Sequence, residues 1–103
     1  MKEILRQILR HIHQEDLVLV TIISRQGSAP RGVGSQMLAG QAGLLTGTVG
    51  GGAVEACALE KAKALLESGQ GCRMTLDLSG STCHSLDMVC GGGVELLFSY
   101  IPK

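Results

Sequence analysis

Three consecutive glycines, Gly50, Gly51 and Gly52, stand directly in front of a helical pattern, and a second triplet, Gly91 to Gly93, follows Cys90. A glycine inside a helix or strand destabilises it by roughly 0.5–1 kcal/mol relative to alanine, because it fixes more backbone freedom and packs no side chain. Three in a row therefore break regular structure. The chain is expected to turn at both places, and the question is what those two bare patches of backbone hold.

The pattern of apolar residues fills in those elements. Residues 3–14 place Ile4, Leu5, Ile8, Leu9 and Ile12 at helical spacing, which predicts an amphipathic helix. Residues 16–25, DLVLVTIISR, are dense in β-branched side chains and long enough for a buried strand. Residues 26–35, QGSAPRGVGS, cannot be regular: Pro30 lacks an N–H and steers Ala29 away from the α region. The segments QMLAG and GLLTGTV are expected to pair as strands across a turn at 40–43. Residues 53–68 then turn helical, with Val54, Ala58, Ala62, Leu65 and Leu66 on one side and Glu60, Lys61, Lys63 and Glu67 on the other. Lys63 and Glu67 are spaced for an i,i+4 contact, and Gly69 is a natural stop. Residues 72–78 alternate with period two, 79–88 read as a polar loop, and 93–101 as a last strand ended by Pro102. This order predicts an α/β (mixed α+β) fold: a single domain over residues 1–103, with one mixed sheet flanked by an N-terminal helix and a central helix.

Composition narrows the function classes. With one Phe, one Tyr and no Trp among 103 residues, the core must be aliphatic. Such a chain buries roughly two thirds of its unfolded surface, enough for a core without metal or disulfide. Nine basic and nine acidic side chains cancel, which leaves no basic stripe for nucleic acid, and base stacking lacks aromatics. Charge interrupts residues 1–14 too often for a secretory signal, and the longest apolar run, LVLVTII, is far too short for a membrane span. The expectation is a cytoplasmic protein whose four cysteines, Cys57, Cys72, Cys83 and Cys90, are reduced thiols without a CxxC pair.

The glycine stretches admit two readings each. A glycine turn running from a strand into a helix exposes backbone N–H groups beside the positive helix end, a setting for phosphate or another anion. Neither a dinucleotide fingerprint nor a P-loop is satisfied: Glu55, Ala53 and Val54 occupy positions those motifs reserve for other residues. Glu55 complements the helix dipole in either case, and a tight turn with close helix–sheet packing is the competing reading. Cys90 is either a reactive thiol beside a glycine pocket or a small buried hydrophobe. Arg31, on the rigid loop with Ser28 and Pro30, is either a phosphate clamp or an exposed arginine. Cys83, His84 and Cys90 lack the paired spacing and the fourth ligand of a zinc site, so no zinc is expected. His11 and His13 point to different sides of a helix and are expected to be solvated.

Taken together, GSAPRGVGSQML (27–38), GTVGGGAVE (47–55) and MVCGGGVELL (88–97) resemble, in order and spacing, the N-terminal domain of the XdhC/CoxI family of xanthine dehydrogenase accessory factors. The resemblance covers residues 17–101. It implies a maturation factor, more a chaperone than an enzyme, that carries molybdenum cofactor (molybdopterin) as cargo. Such a factor holds the cofactor while a cysteine desulfurase supplies sulfur, then delivers it to a xanthine dehydrogenase-type molybdenum hydroxylase. The cofactor-binding residues carried over are Ser28, Pro30, Arg31, Gly50, Gly51, Gly52, Glu55, Cys90, Gly91 and Gly92, with Cys90 the contact for molybdenum. A homodimer suits such a hand-over. Many relatives have cysteine where Ala53 stands, and longer members carry a C-terminal Rossmann-type domain; without one, this sequence is expected to be either a short single-domain member or a fragment of a longer protein. The rival expectations are a persulfide-carrying sulfur-transfer enzyme acting through Cys90, and an assembly module without a small ligand.

Overall fold

The computed structural model describes residues 2–26, 33–50, 52–77 and 93–103. Seven elements follow in order: α1 (Lys2–His11), β1 (Leu17–Gln26), β2 (Gln36–Gly40), β3 (Gly43–Gly47), α2 (Gly52–Ser68), β4 (Cys72–Asp77) and β5 (Gly93–Ile101). The strands form one five-stranded sheet in the order β3-β2-β1-β5-β4. The fold is mixed α+β, as the apolar periodicity predicts. The mixture lies between helices and strands and not in strand direction, since every pairing is antiparallel.

β1 is the middle strand, and its alternation assigns the two faces. Val18, Val20 and Ile22 are fully buried with Met37, Val94, Leu96 and Phe98 under Val54, Cys57, Ala58, Ala62, Leu65 and Leu66 of α2. The helix covers the sheet through the small side chains Ala58 and Ala62, which let its axis approach closely. On the other face, Leu17 and Leu38 are buried with Ile4 of α1, and Ile8, Leu19, Leu45 and Ile101 pack at the edge. α1 thus covers one corner only, which leaves Leu5 and Leu9 outward at 51% and 74% exposure. Its charged residues make an exposed Arg6–Glu3 pair, whereas Lys63 and Glu67 of α2 stand exposed without the ion pair their spacing suggests. Such pairs contribute only tenths of a kcal/mol.

Chain turns have local causes. Gly69 ends α2 at φ +71, with its N–H donating to the Leu65 carbonyl at 2.8 Å. α1 stops at His11, three residues before the sequence pattern runs out. The reason is a tertiary clamp: Glu15 accepts the Gln41 N–H at 2.8 Å and lies 3.7 Å from His11 Nδ1, tying the helix exit to the β2–β3 turn. His11 is therefore half-buried and not solvated as expected, while His13 is exposed.

A second tie joins residues 84 positions apart. Tyr100 donates its hydroxyl proton to Asp16 Oδ2 at 2.6 Å, and the Lys103 N–H donates to Asp16 Oδ1 at 2.9 Å. The Tyr100 bond, then the Lys103 amide, hold the Asp16 carboxyl below its ordinary value of 3.8. The same bond, then desolvation, raises Tyr100 above 10.0. The linkage signs follow. The Asp16 share of stability is present above the unfolded carboxyl value and is lost as pH falls through the lower folded one. The Tyr100 share is present below the unfolded phenol value and is lost as pH rises through the higher folded one. Tyr100→Phe is accordingly expected to lower Tm by a constant amount between about pH 5 and 9, with the difference closing below about pH 4. Thermal melts across pH check this; a difference that grows in acid contradicts it.

Candidate functional site

The antiparallel directions decide where the motif-bearing stretches leave the sheet. β1 ends at Gln26, β4 ends at Asp77, and β5 starts at Gly93, with Gln26 and Asp77 both opposite Gly93. β3 ends at Gly47 opposite Met37, near the start of β2. The described flanks of all three stretches therefore lie at the same end of the sheet. The opposite end holds the β2–β3 turn, Glu15, Asp16 and the start of β4.

This end is stepped. The β2–β3 hairpin stops near the level where Gln36 pairs with Thr21, whereas β1 runs on to Gln26 beside β5 and β4. Five further residues of strand raise that part by roughly 16 Å, and β3 and β5 stand three strand spacings apart, roughly 14 Å. Ile22 links the two levels: its N–H donates to the Ser35 carbonyl at 2.9 Å, and its carbonyl accepts the Gly34 N–H at 2.8 Å.

On the lower step the chain passes from β3 into α2 through Gly47, Thr48, Val49 and the glycine triplet. Gly47 and Gly50 adopt φ +84 and +126, a region that disfavours side chains. A Cβ on Gly47 would also collide with the Gln36 carbonyl oxygen and stand 2.9 Å from Met37 Cα. Val49, fully buried, plugs the turn into the core. The Thr48 N–H donates to the Gln36 carbonyl at 3.1 Å, and Gln36 Nε2 donates to Thr21 Oγ1 at 3.2 Å.

Two residues of the turn then meet through a third. Thr48 Oγ1 accepts the Gly50 N–H at 3.1 Å and donates its proton to Glu55 Oε1 at 2.6 Å. The short O–H···O distance is that of a charge-assisted bond. Glu55 lies half-buried in the first turn of α2, where its charge complements the helix dipole. Thr48 is the residue that sequence reasoning missed. The available signal was a threonine two positions before a glycine, which forms a local side-chain turn.

Of the residues expected at the site, Gly50, Gly52 and Glu55 are described and belong to this one turn. Ser28, Pro30, Arg31, Gly51, Cys90, Gly91 and Gly92 lie outside the described residues. Among the described residues, no group of three or more His, Cys, Asp or Glu is arranged to hold a metal ion. The expectation of reduced thiols needs a correction at Cys57. It is disulfide-bonded. Absence of a CxxC pair did not exclude this, because a bridge between distant positions depends on the fold and leaves no spacing signal. Cys72, on edge strand β4, is a free thiol. No helix among the described residues is long and apolar enough to cross a membrane.

Known proteins share this fold. A profile of the XdhC and CoxI family matches residues 13–78. The chain belongs to that family. The molybdenum cofactor insertion chaperone PaoD of Escherichia coli (strain K12) is 37% identical over 79 residues, 77% of this chain and 24% of PaoD. A crystal structure named a xanthine dehydrogenase, from Bacillus halodurans, shares the fold with a TM-score of 0.77 at 24% identity, over 96% of this chain and 30% of that one. This chain thus spans under a third of the length of either.

The close approach at Gly47 yields a test of the turn. Gly47→Ala is expected to destabilise the chain by at least about 2 kcal/mol, combining the left-handed backbone penalty with displacement of β2. Urea unfolding measures it. A loss below about 0.5 kcal/mol would contradict the described backbone.

Proposed function

We propose that this chain is a maturation factor that holds molybdenum cofactor for a molybdenum hydroxylase, at the stepped end of the sheet. The observation that carries this reading is the common exit of the three family stretches: their flanks leave one end of one sheet, about a small ligand's length apart. Membership of the XdhC and CoxI family, together with similarity to a molybdenum cofactor insertion chaperone, supports the same cargo.

Physical chemistry assigns the parts. The cargo combines a pterin, a phosphate and a soft metal centre. Glu55 already occupies the favourable field of the α2 N-terminus, an interaction worth roughly 0.3–1 kcal/mol. Its negative charge opposes a phosphate seated there. Arg31, with Ser28 and Pro30, is therefore the better phosphate contact, since bonds to a charged group contribute about 1.5–3 kcal/mol each. The turn at Gly50, Gly51 and Gly52 takes the pterin, whose flat ring needs close backbone approach. Cys90 in its reduced form, with Gly91 and Gly92, contacts the molybdenum through a thiolate, a soft ligand for a soft metal. On this reading the cofactor is cargo, sulfur arrives from a cysteine desulfurase, and the hand-over to a xanthine dehydrogenase-type enzyme takes place in the cytoplasm, from a homodimer.

Anaerobic gel filtration with freshly released cofactor tests the proposal. Molybdenum and pterin are expected to co-elute with the protein near one equivalent per chain, and Cys90→Ser to lower that retention about tenfold without unfolding. A folded wild-type sample that elutes free of both contradicts the carrier reading. A sulfur atom added to Cys90 after desulfurase treatment, with no cofactor retained, would favour the sulfur-transfer enzyme.

A further inference from the structure

We propose that Thr48 is the positioning residue of the glycine turn, holding Glu55 and the Gly50 amide in the arrangement that receives the pterin; this rests on the carrier reading above. A threonine hydroxyl has one proton to donate and lone pairs to accept. Here the proton goes to Glu55 Oε1 and a lone pair takes the Gly50 N–H. The base of the side chain is itself fixed, because the Thr48 N–H is bonded to Gln36 and Val49 beside it is fully buried. One hydroxyl thereby sets the shape of the turn and the direction of a flexible carboxylate.

Two consequences follow for recognition. The Gly50 amide is engaged within the turn, so it does not serve as an anion contact. Glu55 is presented as a hydrogen-bond acceptor at the place where an anion-binding turn would present donors. The chemical complement of a fixed carboxylate is a run of N–H donors, which the amino-pyrimidine edge of a pterin carries and its phosphate does not. The turn is thus suited to the ring end of the cargo, and Thr48 sets that preference without touching it.

The test compares Thr48→Val, Thr48→Ser, Glu55→Ala and the Thr48→Val/Glu55→Ala pair by anaerobic cofactor retention, with thermal melts as a check on folding. Valine keeps the β-branched volume and removes both hydrogen bonds; serine keeps both bonds. Thr48→Val is expected to weaken retention about tenfold or more and Thr48→Ser less than about threefold. The double variant is expected to lose clearly less than the product of the two single losses, because the carboxylate's part is shared between the two residues. A Thr48→Val chain that retains cofactor like the wild type, a serine variant as weak as valine, or fully multiplicative losses overturns the inference while leaving the carrier reading standing. A folded Glu55→Ala chain with undiminished retention overturns it as well, even where Thr48→Val does not fold. A folded wild type that retains no cofactor overturns both together.

Discussion

Everything in this fold hangs on the double pairing of β1. The strand is hydrogen-bonded along one side to β2 and along the other to β5, and its side chains are buried on both faces. Val18, Val20 and Ile22 reach the α2 core, and Leu17 is buried beneath α1. Each such side chain contributes roughly 1.5–3 kcal/mol when fully buried, and a register slip of one residue would exchange the two faces. Because α1 and α2 need different sets of β1 side chains, the register is over-determined. That rigidity fixes where the ends of the neighbouring strands lie.

Function inherits its geometry from strand direction. With every pairing antiparallel, β1, β3 and β4 finish, and β2 and β5 begin, at the same end of the sheet. The other end is closed by ties within the chain: Glu15 over the β2–β3 turn, and Asp16 bridging Tyr100 and Lys103. The division is thus between an end held together by its own side chains and an end from which the family stretches emerge. On the closed end, a groove beside α2 is lined by Gln41, Ala42, Leu59, Glu60 and Lys63, and among the described residues none from the family stretches borders it.

Much of this was legible in the sequence because apolar periodicity reports burial directly. The helix at 53–68 and the strand at 93–101 agree with α2 and β5 to within a residue, since their buried faces repeat at 3.6 and 2 positions. What the sequence could not show depends on distance along the chain. The partnership of Tyr100 with Asp16 and the early stop of α1 under the Glu15 clamp both join positions brought together only by the finished sheet. At the site, the glycine triplet and Glu55 were visible as a motif. Thr48 was not, because its importance lies in a hydroxyl that connects two of them, and a threonine before a helix is an ordinary residue to meet.

The central claim is that cargo meets the chain at the stepped end. An anaerobic ¹H–¹⁵N correlation spectrum of the labelled chain, recorded with and without molybdenum cofactor, tests it most directly. The account predicts the largest amide shifts at Gly34, Ser35, Thr48, Gly50, Glu55 and Gly93, with little change at Gln41, Gly43, Gly69 and Gly71. Shifts centred on that second group, or spread along α1, would place the cargo elsewhere and contradict the account.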